Sequence, residues 1–167
     1  MPRMRILSRD EQARFDRPPQ LNHGERKKFF GPAKRLVKIA GGFRGDGNRI
    51  GFLTACGYFK ATRRFFQPQD YHQPDIEAAA QILNLEGSAF TPHTYAKQTR
   101  ARHRHLILDF HGFAPFDEVA QQVVRSEIAA MAQAYLKPRL MFFRCVELLI
   151  KERIEVPTSY GLAELIR

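Results

Sequence analysis

The chain has 167 residues, enough for one full core or two small ones, and its 44% hydrophobic content excludes wholesale disorder. No apolar run approaches the roughly 18 residues of a transmembrane helix, the N-terminus lacks the apolar stretch of a secretory signal, and two distant cysteines make no metal site. The formal net charge of +10 is lopsided: residues 1–66 hold 16 Lys and Arg against 5 Asp and Glu, and residues 67–167 hold 11 against 12.

In chain order, Ser8 and Glu11 have the spacing of a capping box, and Pro18-Pro19 stops the short helix they begin. Asn22 with Glu25 starts a second helix ending near Phe30. Pro32 suits the first turn of a third, which carries Leu36, Val37 and Ile39 and ends at Gly41-Gly42. Asp46 or Asn48 is expected to cap a helix running to about Lys60, apolar or small almost all round and therefore central. Segment 65–74, with two prolines at the charge break, reads as a connection. Pro74-Asp75 opens the next helix. Thr91-Pro92 begins another that reaches about Phe110 before Gly112. Pro115 and Asp117 start a helix with Val119, Val123, Val124, Ile128, Met131 and Tyr135 at helical spacing. Pro138 opens the last long helix, which stops before Pro157. Thr158 or Ser159 starts a final turn, inside which the chain ends, as if cut from a longer protein.

These elements predict an all-α fold of two small helical subdomains with helix-turn-helix-like packing. The first is residues 1–66 and basic, the connection is 67–74, and the second is 75–167. Almost no sheet is expected. Cys56 and Cys145, each among apolar residues, are expected as buried free thiols in a reducing cytosol.

The concentrated charge attracts a polyanion, and nucleic acid is the commonest. Anionic lipid, an acidic protein and plain solubility are the other readings. On a helical wheel of residues 91–110, Lys97, Arg100 and Arg104 share one face, opposite Tyr95, Thr99, Leu106 and Phe110. Gln98, Arg102, His105 and Asp109 run between them, with Arg102 nearer the apolar side. Such amide and guanidinium heads reach phosphates and purine edges. Arg44, Asn48 and Arg49 lead into a helix N-terminus, where unpaired N–H groups suit a phosphate. Lys27, Lys28, Lys34 and Arg35 belong to a basic stretch, 26–38, fit for DNA backbone contact. His103 and His105 fall on different faces of their helix, so no metal site is expected; a surface pair of His105 with Asp109 is expected instead. No catalytic set is apparent, and no cofactor is expected.

Four stretches together resemble a known family. They are ILSRDEQARFDRPP near the start, RGDGNRIGFLTACGYFKATRRFF from Arg44, YAKQTRARHRHLILDFHGFAPF from Tyr95, and LIKERIEVPTSYGLAELI at the end. In order and spacing they resemble the N-terminal region of the cointegrate-forming bacterial transposases of the Tn-three type, over nearly the whole chain. At His111 and Ala114 the chain departs from the Leu and Arg that are frequent in that family, which puts one phosphate contact implied by the resemblance in doubt and leaves the rest standing. The resemblance implies a helical, sequence-specific module that binds the double-stranded terminal inverted repeats in DNA transposition and recombination. It also implies that the catalytic RNase-H-like domain lies outside this chain, which is then no enzyme. The location implied is the bacterial cytoplasm, at the nucleoid. The alternative is a helical assembly module that holds transposase protomers together or meets a regulatory partner.

Overall fold

The computed structural model describes residues 4–31 and 33–167; the reading of Pro32 as a first-turn residue lies outside them. Among the described residues the fold is all-helical. It comprises α1 (Arg9–Asp16), α2 (His23–Phe29), α3 (Lys34–Gly41), α4 (Asp46–Thr62), α5 (Gln73–Ile82), α6 (Lys97–His111), α7 (Glu118–Gln133), α8 (Pro138–Lys151) and α9 (Ser159–Ile166). Single 3-10 turns at Pro68–Asp70, Gly87–Ala89 and Pro92–Thr94 interrupt the middle of the chain. The only sheet-like contact among the described residues is an isolated bridge between Ala114 and Ile154. Both capping boxes form. Ser8 Oγ accepts from the Glu11 N–H while the Glu11 carboxylate accepts from the Ser8 N–H, and Asn22 pairs with Glu25 in the same way.

The chain divides into two compact units. One is Arg17–Ile107; the other joins the described residues up to Asp16 with Leu108–Arg167. The first holds 16 Lys and Arg against 6 Asp and Glu, and the rest of the chain holds 11 against 11. The first unit therefore carries the whole net charge of +10, and is called the basic unit below.

The basic unit is built around α4. Every residue from Ile50 to Phe59 is buried, because α2, α3 and α5 all pack on this helix. The continuous apolar run of the sequence has this physical cause: a helix covered on several sides has no solvent face. Its two internal glycines are close-approach sites. A Cβ at Gly57 would lie 2.5 Å from the Phe30 ring, and one at Gly51 would lie 2.8 Å from the Tyr95 ring. Phe30 is buried and stands edge-on to Tyr58, with ring centroids 5.7 Å apart, so its ring has nowhere to go. Gly57→Ala is therefore expected to destabilise the protein by about 1–3 kcal/mol through overpacking. Against it stands the roughly 1 kcal/mol that Ala gains over Gly in a helix interior, which leaves a net loss of up to about 2 kcal/mol. Thermal melts check it; a melting temperature at or above that of the parent protein would show that the ring yields.

The expected connection at 67–74 is instead part of the basic unit. Phe66 and Pro68 are buried, Tyr71 stacks with Phe90 and tilts against Tyr58, and Asp75 is locked into the core. Two prolines and a charge break read as a linker, but the aromatic residues between them bind the segment to its neighbours.

The other unit packs α7, α8 and α9 on one another, with α1 against α9. Val124, Phe142, Cys145, Leu149 and Leu162 form its centre, joined by Ile6 and Leu7. Asp16 receives both the backbone N–H of Ser159, at 2.8 Å, and its hydroxyl, at 2.5 Å. Cys56 and Cys145 are both free and buried. Burial pushes the Cys145 thiol up to about 11 and that of Cys56 higher still, so both stay protonated.

Candidate nucleic-acid interface

The turn before α4 is built by its own side chains. Gly45, at φ +89°, is the N-cap, and no side chain caps the helix, so neither Asp46 nor Asn48 does so. Asn48 Nδ2 donates to the Arg44 carbonyl at 2.9 Å, and Arg49 Nε donates to the Phe43 carbonyl at 2.9 Å. Arg49 also lies 3.6 Å from the Asp46 carboxylate. Two of the three side chains expected at a phosphate thus hold the turn in shape. Arg44 is exposed, and its guanidinium makes no bond to the rest of the described residues.

α6 begins at Lys97, six residues later than Thr91, since Pro92–Thr94 forms a separate 3-10 turn. Its anchor is His103, only 3% exposed. The imidazole stacks on Phe43 with centroids 4.3 Å apart, meets Phe52 edge-on, and shares a 2.5 Å hydrogen bond between Nδ1 and the Tyr95 hydroxyl. Desolvation, with the neighbouring Arg102 charge, pulls its pKa from 6.5 down to about 4. The ring is therefore neutral in the fold at pH 7. Between pH 6.5 and 4 the unfolded chain binds more protons at this site than the folded one does. Its contribution to stability is complete above 6.5 and declines as the pH falls toward 4. A melting temperature several degrees lower at pH 4.5 than at pH 7 is expected, with that difference reduced in His103→Phe. Equal pH dependence in the two proteins would remove His103 as the cause.

With His103 turned inward, the helix is rotated from its expected setting. Arg100 is half-buried and donates from Nη1 to Gln67 Oε1 at 3.2 Å. The Arg104 guanidinium lies over the Phe65 ring, 5.0 Å from its centroid, and Phe65 stacks in turn on Phe59. Arg100 thus serves packing on the side expected to face solvent, whereas Arg104 stays exposed there, as expected, with its guanidinium over that ring. The open side carries Lys97, Gln98, Ala101, Arg102, Arg104, His105 and Leu106. Arg102 reaches only Thr99 Oγ1, at 3.4 Å. His105 and Asp109 are both exposed and no bond joins them, so the expected pair does not form.

Arg102, Thr99 and Leu106 of α6 line a cleft of about 200 Å³ with Phe43, Arg44 and Asn48. The structure thus brings together Arg44, Asn48 and Arg102 from two separate stretches of sequence. Lys27, Lys28, Lys34 and Arg35 lie on the exposed faces of α2 and α3 and do not border this cleft. Lys38, absent from the expected set, is exposed on the same face of α3 as Lys34, four residues away. Among the described residues no group of three or more His, Cys, Asp or Glu side chains could hold a metal ion. No helix among them is long and apolar enough to cross a membrane.

A family model described as a domain of unknown function (DUF4158) matches residues 6–167. No curated protein matches the chain.

Proposed function

The chain belongs to the family of this domain of unknown function, which spans it almost from end to end, and from that premise we propose that it is a duplex-DNA-binding module of a transposase. One observation carries the reading: the whole +10 lies in the single compact unit Arg17–Ile107. A charge so confined to one folded body is the footprint of a polyanion-binding surface rather than a general aid to solubility. The four stretches that resemble the N-terminal region of cointegrate-forming transposases supply the kind of DNA, the terminal inverted repeats, and the setting, the bacterial nucleoid. The module recognises DNA and leaves strand cleavage to a magnesium-binding domain elsewhere.

A mobility-shift titration of the 167 residues tests this, with terminal-repeat duplex and a scrambled duplex of equal length. Both should shift at low salt, the repeat at lower protein concentration, and neither should be nicked when magnesium is added. Failure to shift either duplex would refute the proposal; nicking would refute its non-catalytic part.

A second reading concerns the other unit. Its charges balance, and it exposes Val119 (74%) and Tyr135 (92%), with Leu140, Ile150 and Tyr160 also open. Apolar side chains on a neutral surface favour contact with a second protomer. A sedimentation mass that rises with concentration would support that role.

A further inference from the structure

The orientation of α6 is fixed from below. His103 is held in its aromatic box, Ile107 is buried one turn further on, and Arg100 and Arg104 are drawn to Gln67 and Phe65. The opposite line runs through Gln98, Arg102 and His105, at i, i+4 and i+7, so all three share one face. None of the three bonds to another element. Ala101 lies within this line and offers only a methyl group, so the helix backbone can approach a neighbour closely. Leu106 is exposed beside Arg102 at the edge of the cleft.

A merely solvated helix face is usually laced with carboxylate–amine pairs at i, i+4. Here no carboxylate occurs from Lys97 to Leu108. The face instead presents an amide, a guanidinium and an imidazole, bordered by an apolar side chain. These are the groups that discriminate base edges: Gln pairs with adenine, Arg pairs with guanine, and an apolar side chain meets the thymine methyl. The major groove of B-DNA, about 12 Å wide, admits one α-helix.

We infer that the Gln98–Arg102–His105 line of α6 reads base edges in the major groove of duplex DNA. Leu106 meets the groove wall, and Arg44 and Lys97 hold the flanking phosphates. Arg100 and Arg104 are positioning residues that set the helix's rotation. The inference rests on the DNA-binding proposal above.

The test is selection from a randomised 30-base-pair duplex library by the full chain, by Q98A/R102A/H105A and by Arg102→Lys. The unmodified protein should enrich one consensus. The triple variant should bind that selected duplex about a hundredfold more weakly, with a far smaller loss on a scrambled duplex, and should enrich no consensus. Arg102→Lys keeps the charge but loses the two-pronged guanidinium, and should relax preference at one position only. Replacing guanine and adenine by their 7-deaza analogues in the selected duplex should weaken binding about tenfold, because N7 lies in the major groove. A triple variant that folds and enriches the same consensus overturns the inference, as does a 7-deaza duplex bound undiminished. A parent protein that binds duplex but enriches nothing also overturns it, while leaving phosphate binding intact. A parent protein that retains no duplex at low salt defeats the underlying proposal.

Discussion

Affinity for duplex DNA should fall about a thousandfold between 50 and 200 mM salt if the basic unit neutralises roughly six phosphates. Each neutralised phosphate releases its condensed counterion, which gives a log–log slope of about −5 for six contacts. The basic unit has the cations for this. Arg26 and Arg49 are committed to Asp75 and Asp46, but Lys27, Lys28, Lys34, Lys38, Arg44, Lys97 and Arg102 are exposed and form no ion pair. Replacing Lys34 and Lys38 by Ala should reduce the slope by about 2 and weaken repeat and scrambled duplexes alike, as expected for backbone contacts. Fluorescence anisotropy across a salt series measures both effects. A slope near zero would refute an electrostatic interface.

The largest loss of stability should come from Asp75→Ala, at about 3–5 kcal/mol. Asp75 is only 1% exposed, and each of its oxygens has a partner from a different helix. Arg26 Nε donates to Oδ1 at 2.8 Å, and the Tyr58 hydroxyl donates to Oδ2 at 2.5 Å. Tyr58 in turn accepts from the His72 N–H at 3.1 Å. Burial and the adjacent carboxylate push the tyrosine pKa well above its ordinary value, so it remains a donor. Removing the carboxylate strands the Arg26 charge and an interior hydroxyl together, the most costly outcome for a buried pair. At roughly 4–8 °C per kcal/mol for a domain of this size, the melting temperature should drop by more than about 10 °C. If Arg26→Ala and Asp75→Ala cost the same singly and combined, the two side chains act as one unit. A loss below about 1 kcal/mol for Asp75→Ala would show that water replaces the carboxylate.

Most helix boundaries were legible because they are set by local chemistry. Asn22, Asp117, Thr158 and Pro138 each begin a helix within a residue or two of where cap and proline rules put it. α4 was legible from its unbroken apolar run. The start of α6 was not, since Thr91-Pro92 satisfies the same rules with a 3-10 turn that tertiary contacts then end. The candidate site was legible in its parts but not in its assembly. Arg44, Asn48 and Arg102 carry suitable heads, but nothing local indicates that Phe43 stacks on His103 and so sets the turn beside the helix. The packing face runs through His103, a side chain that the wheel of basic and apolar residues leaves without a place. Its aromatic box makes it a core residue, and Arg100, beside it on the helix, is half-buried with it. In the sequence Asp75 shows only as a residue of a helix start, because a buried carboxylate is recognised by its partners, and Arg26 lies 49 positions away.

The nesting of one unit within the other's sequence sets an order of events at the ribosome. Asp16 must wait for Ser159, 143 residues later, and the Met4 carbonyl for Arg167, 163 residues later. At about 5–20 residues per second, synthesis of that interval takes roughly 10–30 seconds. For most of it Ile6, Leu7 and Phe15 have been made while α8 has not, and α9 comes only at its end. The basic unit, by contrast, is continuous in sequence, and its partners emerge within 91 residues of each other. The nascent protein therefore meets the cell with its cationic part able to fold first, while the apolar segment that precedes it is still exposed to chaperones.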